Sequence, residues 1–173
     1  MSSTLSLADL PSHDDPLASI SIQLRPFQPG DAEAFRRLNR AWIEKFFGLE
    51  EHDNQILDDP EGYVLAKGGH IFFAVADGVP VGCCGLIPVA EGVFEVAKMA
   101  VAESWQGRGI GRRILAYTIE QGRALGAGKL YLETNSRLAN AIHLYESLGF
   151  KHLPPKPSPY VRANVFMERV FNQ

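Results

Sequence analysis

The segment Gln106-Gly107-Arg108-Gly109-Ile110-Gly111-Arg112 sets three glycines and two arginines between an apolar run and an amphipathic stretch, and no other feature restricts the fold as much. The run before it, Val93 to Val101, reads Val-Phe-Glu-Val-Ala-Lys-Met-Ala-Val, β-branched and mostly apolar on both faces, as a central strand is. After it, Ile110, Ile114, Leu115 and Ile119 recur near the helical period. Such a helix opens with backbone N–H groups that lack intrahelical partners and with the positive end of its dipole. Glycines there remove the Cβ atoms that would keep an anion away. The junction therefore predicts a strand, a tight turn shaped to hold a pyrophosphate, and a helix.

Spacing excludes two other glycine signatures. A dinucleotide-binding turn needs Gly-x-Gly-x-x-Gly, yet the third position is Arg112 counted from Gly107 and Ile114 counted from Gly109. The Lys-Ser/Thr pair of a triphosphate loop is missing. What remains is Gln-x-x-Gly-x-Gly, on Gln106, Gly109 and Gly111. A second phrase follows a short predicted strand at Leu130–Thr134: Ala141-Ile142-His143-Leu144-Tyr145-Glu146-Ser147-Leu148-Gly149-Phe150, a helical pattern ended by glycine. The first phrase resembles the coenzyme A signature of the GNAT superfamily of N-acetyltransferases. The second resembles the helix from which a tyrosine of that family points at the coenzyme sulfur. The resemblance spans about residues 20 to 171 in element order, with its motifs within 93 to 150; the alternative is a glycine turn needed only for packing.

Element signals fit the same plan. They predict strands at 20–26, 70–77, 80–88, 93–101, 129–135, 150–153 and 162–170, and helices at 31–47, 50–66, 108–126 and 138–148. Gln28-Pro29-Gly30-Asp31 offers Asp31 as an N-cap, and Asp77-Gly78 is a hairpin signal. Phe35, Leu38, Trp42 and Phe46 make a buried stripe on the first helix. Antiparallel runs with one parallel crossover through helix 108–126 give an α/β (α+β) fold. The resemblance implies a mixed, twisted, seven-stranded sheet flanked by about four helices and splayed open beside the fourth strand.

With 173 residues, 46% of them hydrophobic, the chain suffices for one core. One domain is expected over 20–173, behind a flexible tail at 1–19 that is rich in Ser, Asp and Pro and lacks the pattern of a signal peptide. A net charge of -3 argues against a nucleic-acid partner, and no apolar run reaches membrane-spanning length. Cys83 and Cys84 are adjacent on a strand, where side chains point to opposite faces, so they predict no disulfide and fit a cytoplasmic location. His52, His70, His143 and His152 lack metal-ligand spacing, and no metal is expected.

The resemblance implies an acyl-CoA-dependent N-acetyltransferase that uses acetyl-CoA as co-substrate and acetylates a primary amine of a small molecule or peptide, by direct transfer in a ternary complex. On this chain it implies donor contacts from Met99, Ala100 and Val101, where the fourth strand carries a bulge, and from Gln106, Gly107, Arg108, Gly109, Ile110, Gly111 and Arg112. Tyr145 becomes the proton donor, and Glu95 or Glu133 the base, with Glu95 ahead. Salt bridges to Lys98, or to Arg137 or Lys129, are the structural alternatives for the two carboxylates, and a purely positioning enzyme without a base is another. The family asparagine seven residues before the tyrosine is Leu138 here, leaving Asn135 and Asn140 as substitutes. The acceptor wall falls on the first two helices and on 154–160. Glu50, Glu51, Asp53, Asp58, Asp59 and Glu61 lie beside it, as a solvated face or as a funnel for a cationic amine. A homodimer is compatible with the family. A non-catalytic acyl-CoA-binding sensor or a protein-interaction module stands as the rival reading.

Overall fold

Seven strands hydrogen-bond into one mixed sheet of order β1-β2-β3-β4-β5-β7-β6. The computed structural model describes residues 20–172; the tail expected at 1–19 lies outside the described residues. The elements run β1 (Ile22–Pro26), α1 (Ala32–Phe46), α2 (Glu51–Asp58), α3 (Pro60–Tyr63), β2 (His70–Ala76), β3 (Val79–Ala90), β4 (Val93–Val101), α4 (Ile110–Ala124), β5 (Lys129–Thr134), α5 (Ala139–Ser147), β6 (Lys151–Leu153) and β7 (Val165–Val170). Asp77 and Gly78, which turn β2 into β3, both take positive φ, at 48° and 75°. That is the pair of conformations a tight hairpin turn matched to strand twist demands.

Alternate residues of β2 feed two cores. Phe72, Ala74 and Ala76 pack on the α4 side with Ile114, Leu115 and Ile119, while Ile71, Phe73 and Val75 pack on the α1–α2 side with Phe35, Leu38 and Leu57. Cys84 and Cys83 divide the same way, both as free, buried thiols. Burial pushes the Cys84 thiol up to about 12, so neither its acidity nor its position suits reaction.

Two departures from expectation have local causes. The helix predicted over 50–66 breaks into α2, α3 and a 3-10 turn at Leu65–Lys67, giving five α-helices among the described residues. Pro60 drives Asp59 out of helical geometry, to φ -144° and ψ 69°, and Asp59 then accepts the Gly62 N–H to begin α3. Asp31 does stand before α1, but its carboxylate faces backward, taking Gln28 N–H at 2.7 Å and Arg25 at 2.6 Å instead of capping the helix.

The opening that positions the site lies between β4 and β5. These parallel strands pair only at Val93↔Lys129, Phe94↔Leu130 and Glu95↔Tyr131, although β4 continues to Val101. On its other edge β4 stays bonded to β3, but Cys83 faces Ala100 and Gly85 faces Ala97, so Cys84 alone opposes both Lys98 and Met99. This two-for-one count is a β-bulge, and Lys98 sits in it at φ 56°. A bulge leaves one residue outside the ladder and sharpens the local twist, which turns the second half of β4 away from β5.

Candidate active site

A cavity of about 420 Å³ occupies the opening. Met99, Ala100, Val101, Gln106, Gly107, Gly109, Ile110, Gly111, Asn135, Asn140, Glu95, Glu133 and Tyr145 all contribute to its lining, whereas Arg108 and Arg112 do not. Arg108 instead lies over the Trp105 ring at 5.6 Å, and Arg112 donates to Ser147 Oγ at 2.8 Å, tying α4 to α5.

At one end of the cavity, Gly107 and Gly109 take φ 76° and 78°, and no atom stands within 4 Å of a Cβ built on either. These left-handed residues delay the helix to Ile110, where its apolar period begins, two residues later than the start expected at 108. Gln106 donates to Val101 O at 3.1 Å and pins the turn to the end of β4. Among the described residues no side chain caps α4, and no acid stands in its first turn, so its first amide groups have no side-chain acceptor there. That cradle fits a diphosphate.

At the other end are two carboxylates with different surroundings. Glu133 accepts the Tyr131 hydroxyl at 3.0 Å and the Ser158 hydroxyl at 2.6 Å, one on each oxygen. Glu95 has no hydrogen-bond partner among the described residues; burial, reinforced by the Glu133 charge, raises its pKa from 4.5 to about 7, against the pull of Lys98 and Lys156. Neither carboxylate makes the salt bridge considered for it, since Lys98 bonds Asp53 and Lys129 bonds Glu168. Tyr145 is buried, with its ring edge-on to Phe150 at 5.9 Å. Burial holds its hydroxyl above the usual tyrosine range and so protonated.

The wall built by α2, β4 and the segment before β7 rests on a group that sequence reasoning did not assemble. Lys98 Nζ donates to Asp53 Oδ1 at 2.7 Å and to the Tyr160 hydroxyl at 2.8 Å. Arg162 grips the same Asp53 with two bonds, at 2.6 and 2.7 Å, and reaches Glu50 at 3.2 Å. The side chains of Asp53 and Lys98 are 0% and 5% exposed. Burial pushes Asp53 upward, but the bonds from Arg162 and the charge of Lys98 outweigh it and bring its pKa down to about 2. Glu50 and Asp53 also close a capping box on α2, and that Glu-x-x-Asp spacing was the one signal in the sequence.

The acidic residues at 50–61 are accordingly not a free funnel. Glu50 and Asp53 are committed to Arg162, Asp58 to Arg40 and Asp59 to Gly62, leaving Glu51 and Glu61 as exposed surface. Asn135 is also occupied, donating to Arg162 O and accepting the Arg137 N–H, while Asn140 stays exposed beside the cavity. Trp42 and Phe46, expected in the core, are half-buried and line the cavity, because the end of α1 runs over the opening rather than over paired strands.

The model of the Acetyltransferase (GNAT) family matches residues 22–150. An uncharacterized N-acetyltransferase of Escherichia coli (strain K12) is 33% identical over 131 residues, 71% of this chain and 78% of that one. An IAA acetyltransferase of Azospirillum brasilense is 37% identical over 151 residues, 83% of this chain and 92% of that one. The Salmonella typhimurium protein yncA, solved with its cofactor acetyl-CoA, shares the fold at a TM-score of 0.73 and 21% identity, over 88% of this chain and 95% of that one.

Removing the shared acid tests the ionic group. Asp53→Asn leaves Lys98 and Arg162 competing for an uncharged partner in a buried site and is expected to lower unfolding free energy by about 3–5 kcal/mol. Exposed Glu51→Gln should stay within about 0.5 kcal/mol of the parent in the same urea titration. Near-equal midpoints for the two variants would mean that the buried cluster contributes nothing.

Proposed function

Because this chain belongs to the GNAT family of acetyltransferases, we propose that it moves an acetyl group from acetyl-CoA to a primary amine of a small molecule or peptide by direct transfer, with both substrates bound at once. The observation that carries the reading is the convergence of the open glycine cradle, an unpartnered Glu95 and a buried Tyr145 on one cavity. A non-catalytic sensor would need the cradle alone. Two buried thiols on opposite faces suit a reducing cytoplasm as the place of action.

Bound acetyl-CoA supplies an acetyl group activated as a thioester: the C–N bond to the acceptor forms, the C–S bond breaks and the electron pair leaves on sulfur. The backbone N–H groups of Gly107 to Gly111 hold the diphosphate, and the free edge of β4 at Met99–Val101 offers its peptide groups to the acyl arm. An amide released from the ladder by the bulge at Lys98–Met99 is suited to the negative charge that builds on the carbonyl oxygen.

Glu95 takes the proton of the incoming amine. A pKa of about 7 leaves much of it ionised near neutrality and keeps it a stronger base than an ordinary carboxylate. Glu133, held by two hydroxyls, stays in place as the charge that helps raise Glu95. Tyr145 gives its proton to the departing sulfur.

The test of the base has two readings. kcat/KM of the parent should climb with pH and level off above about 7, and Glu95→Gln should lose roughly 10²–10⁴-fold on the plateau. The same change should stabilise the fold. The folded state holds a proton on Glu95 that the unfolded chain releases near 4.5, so stability falls as pH rises from there to about 7. Glu95→Gln should therefore have a higher unfolding free energy than the parent at pH 8, by at most about 3 kcal/mol, and no higher at pH 4. An unchanged plateau rate would remove Glu95 from the chemistry.

Tyr145→Phe keeps the packing on Phe150 and deletes the proton. A single-turnover rate lower by about 10²-fold or more at unaltered acetyl-CoA affinity is expected, and a parental rate would reduce Tyr145 to a packing residue. Gly109→Glu puts a carboxylate into the cradle, and calorimetry should then detect no acetyl-CoA binding by a variant whose circular dichroism matches the parent. Retained affinity would move the diphosphate elsewhere.

A further inference from the structure

The cavity combines three half-buried aromatic rings with charged groups that are nearly all spoken for. Trp42, Phe46 and Phe47, at and just beyond the end of α1, line it, with Trp42 and Phe46 at 4.4 Å between ring centroids. Among the lining cations, Lys98 is consumed by Asp53 and Tyr160, and Arg162 by Asp53 and Glu50. Glu133 has a hydroxyl on each oxygen. Glu95 is left as the one lining charge without a hydrogen-bond partner among the described residues.

Resting on the acetyltransferase reading above, we propose that the acceptor is an arylalkylamine: a primary amine on a flat apolar body that lies against Trp42, Phe46 and Phe47, with its nitrogen at Glu95. Large rings left partly open in a concave site lose water when another flat apolar surface covers them, and ring–ring contacts add to that gain. A carboxylate or phosphate on the acceptor would enter a cavity whose cations are already neutralised, and would lose its hydration without a partner. The hydroxyls of an amino sugar would meet the same aromatic wall unpaired, and the second cation of a polyamine would find no further carboxylate in the lining without a hydrogen-bond partner. The volume of about 420 Å³ also has to take the acyl arm, which leaves room inside it for one small body. The competing feature is Arg137, exposed and lying over Phe47 at 5.2 Å, which could draw in a carboxylate from the rim.

The deciding experiment measures kcat/KM by thiol release for phenylethylamine and tryptamine, for phenylalanine and tryptophan, and for spermidine. It also measures binding of each amine by calorimetry to the protein saturated with coenzyme A. The two arylalkylamines are expected to exceed the amino acids and the polyamine at least tenfold. Trp42→Ala should raise KM for tryptamine at least tenfold with acetyl-CoA affinity unchanged. A preference for the amino acids, abolished by Arg137→Gln, would overturn the proposal in favour of a carboxylate-bearing acceptor, and a preference for spermidine would overturn it outright. Arylalkylamine binding without turnover of any amine would uphold the pocket's specificity and refute the transferase reading instead. Absence of both binding and turnover for the arylalkylamines overturns the inference.

Discussion

β4 cannot satisfy two neighbours along its whole length, and the site follows from that conflict. Its first three residues bond to β5, and after Glu95 the bulge at Lys98 twists the strand out of reach. A free strand edge inside a protein exposes unpaired peptide groups, which in most folds is a liability. Here the edge borders a cavity, and a glycine turn and helix start stand at its end. Peptide groups that would be frustrated in a closed sheet are thereby available to an extended ligand arm.

The buried group of Lys98, Asp53, Arg162 and Tyr160 stabilises this open arrangement. Removing ions from water is expensive, and it is tolerable only where each is paired and hydrogen-bonded. Asp53 meets that condition with both oxygens engaged. The same contacts join β4, α2 and the segment before β7 at a point where no backbone ladder links them. Placing the cation on the bulge residue itself means that the left-handed conformation of Lys98 and the positions of α2 and the segment before β7 hold each other in place.

The fold class was legible because its signals are local. Asp77-Gly78 states its own turn, the apolar period of α4 states its helix, and the glycine turn states the junction between strand and helix. The residues converging on the cavity were legible in the same way, since two signatures with fixed spacing carry most of them. Contacts between distant residues were not. Asp53 is 45 residues from Lys98 and 109 from Arg162, and nothing in a charge pattern tells a solvated glutamate or aspartate from one gripped by a partner so far along the chain. Trp42 and Phe46 were misread for a related reason: helical period shows which residues share a face, but not whether that face meets a sheet or a gap in one. Asp31 failed through competition, because Arg25 and the Gln28 amide hold the carboxylate that a cap would use.

The bond from Arg112 to Ser147 joins the helix that begins at the glycine turn to the helix that carries Tyr145. If acetyl-CoA binds as proposed, with its diphosphate in the cradle, the span from there to the tyrosine hydroxyl acts as a ruler. A donor anchored by its diphosphate can bring its sulfur to the hydroxyl only if the arm between them matches that span. Truncated thioesters, which have the same reactive bond but no anchor, would have to find the register by diffusion and would forfeit the effective concentration that anchoring provides. Donor selectivity would then be a matter of length, measured by two helices, more than of contacts at the reacting carbon.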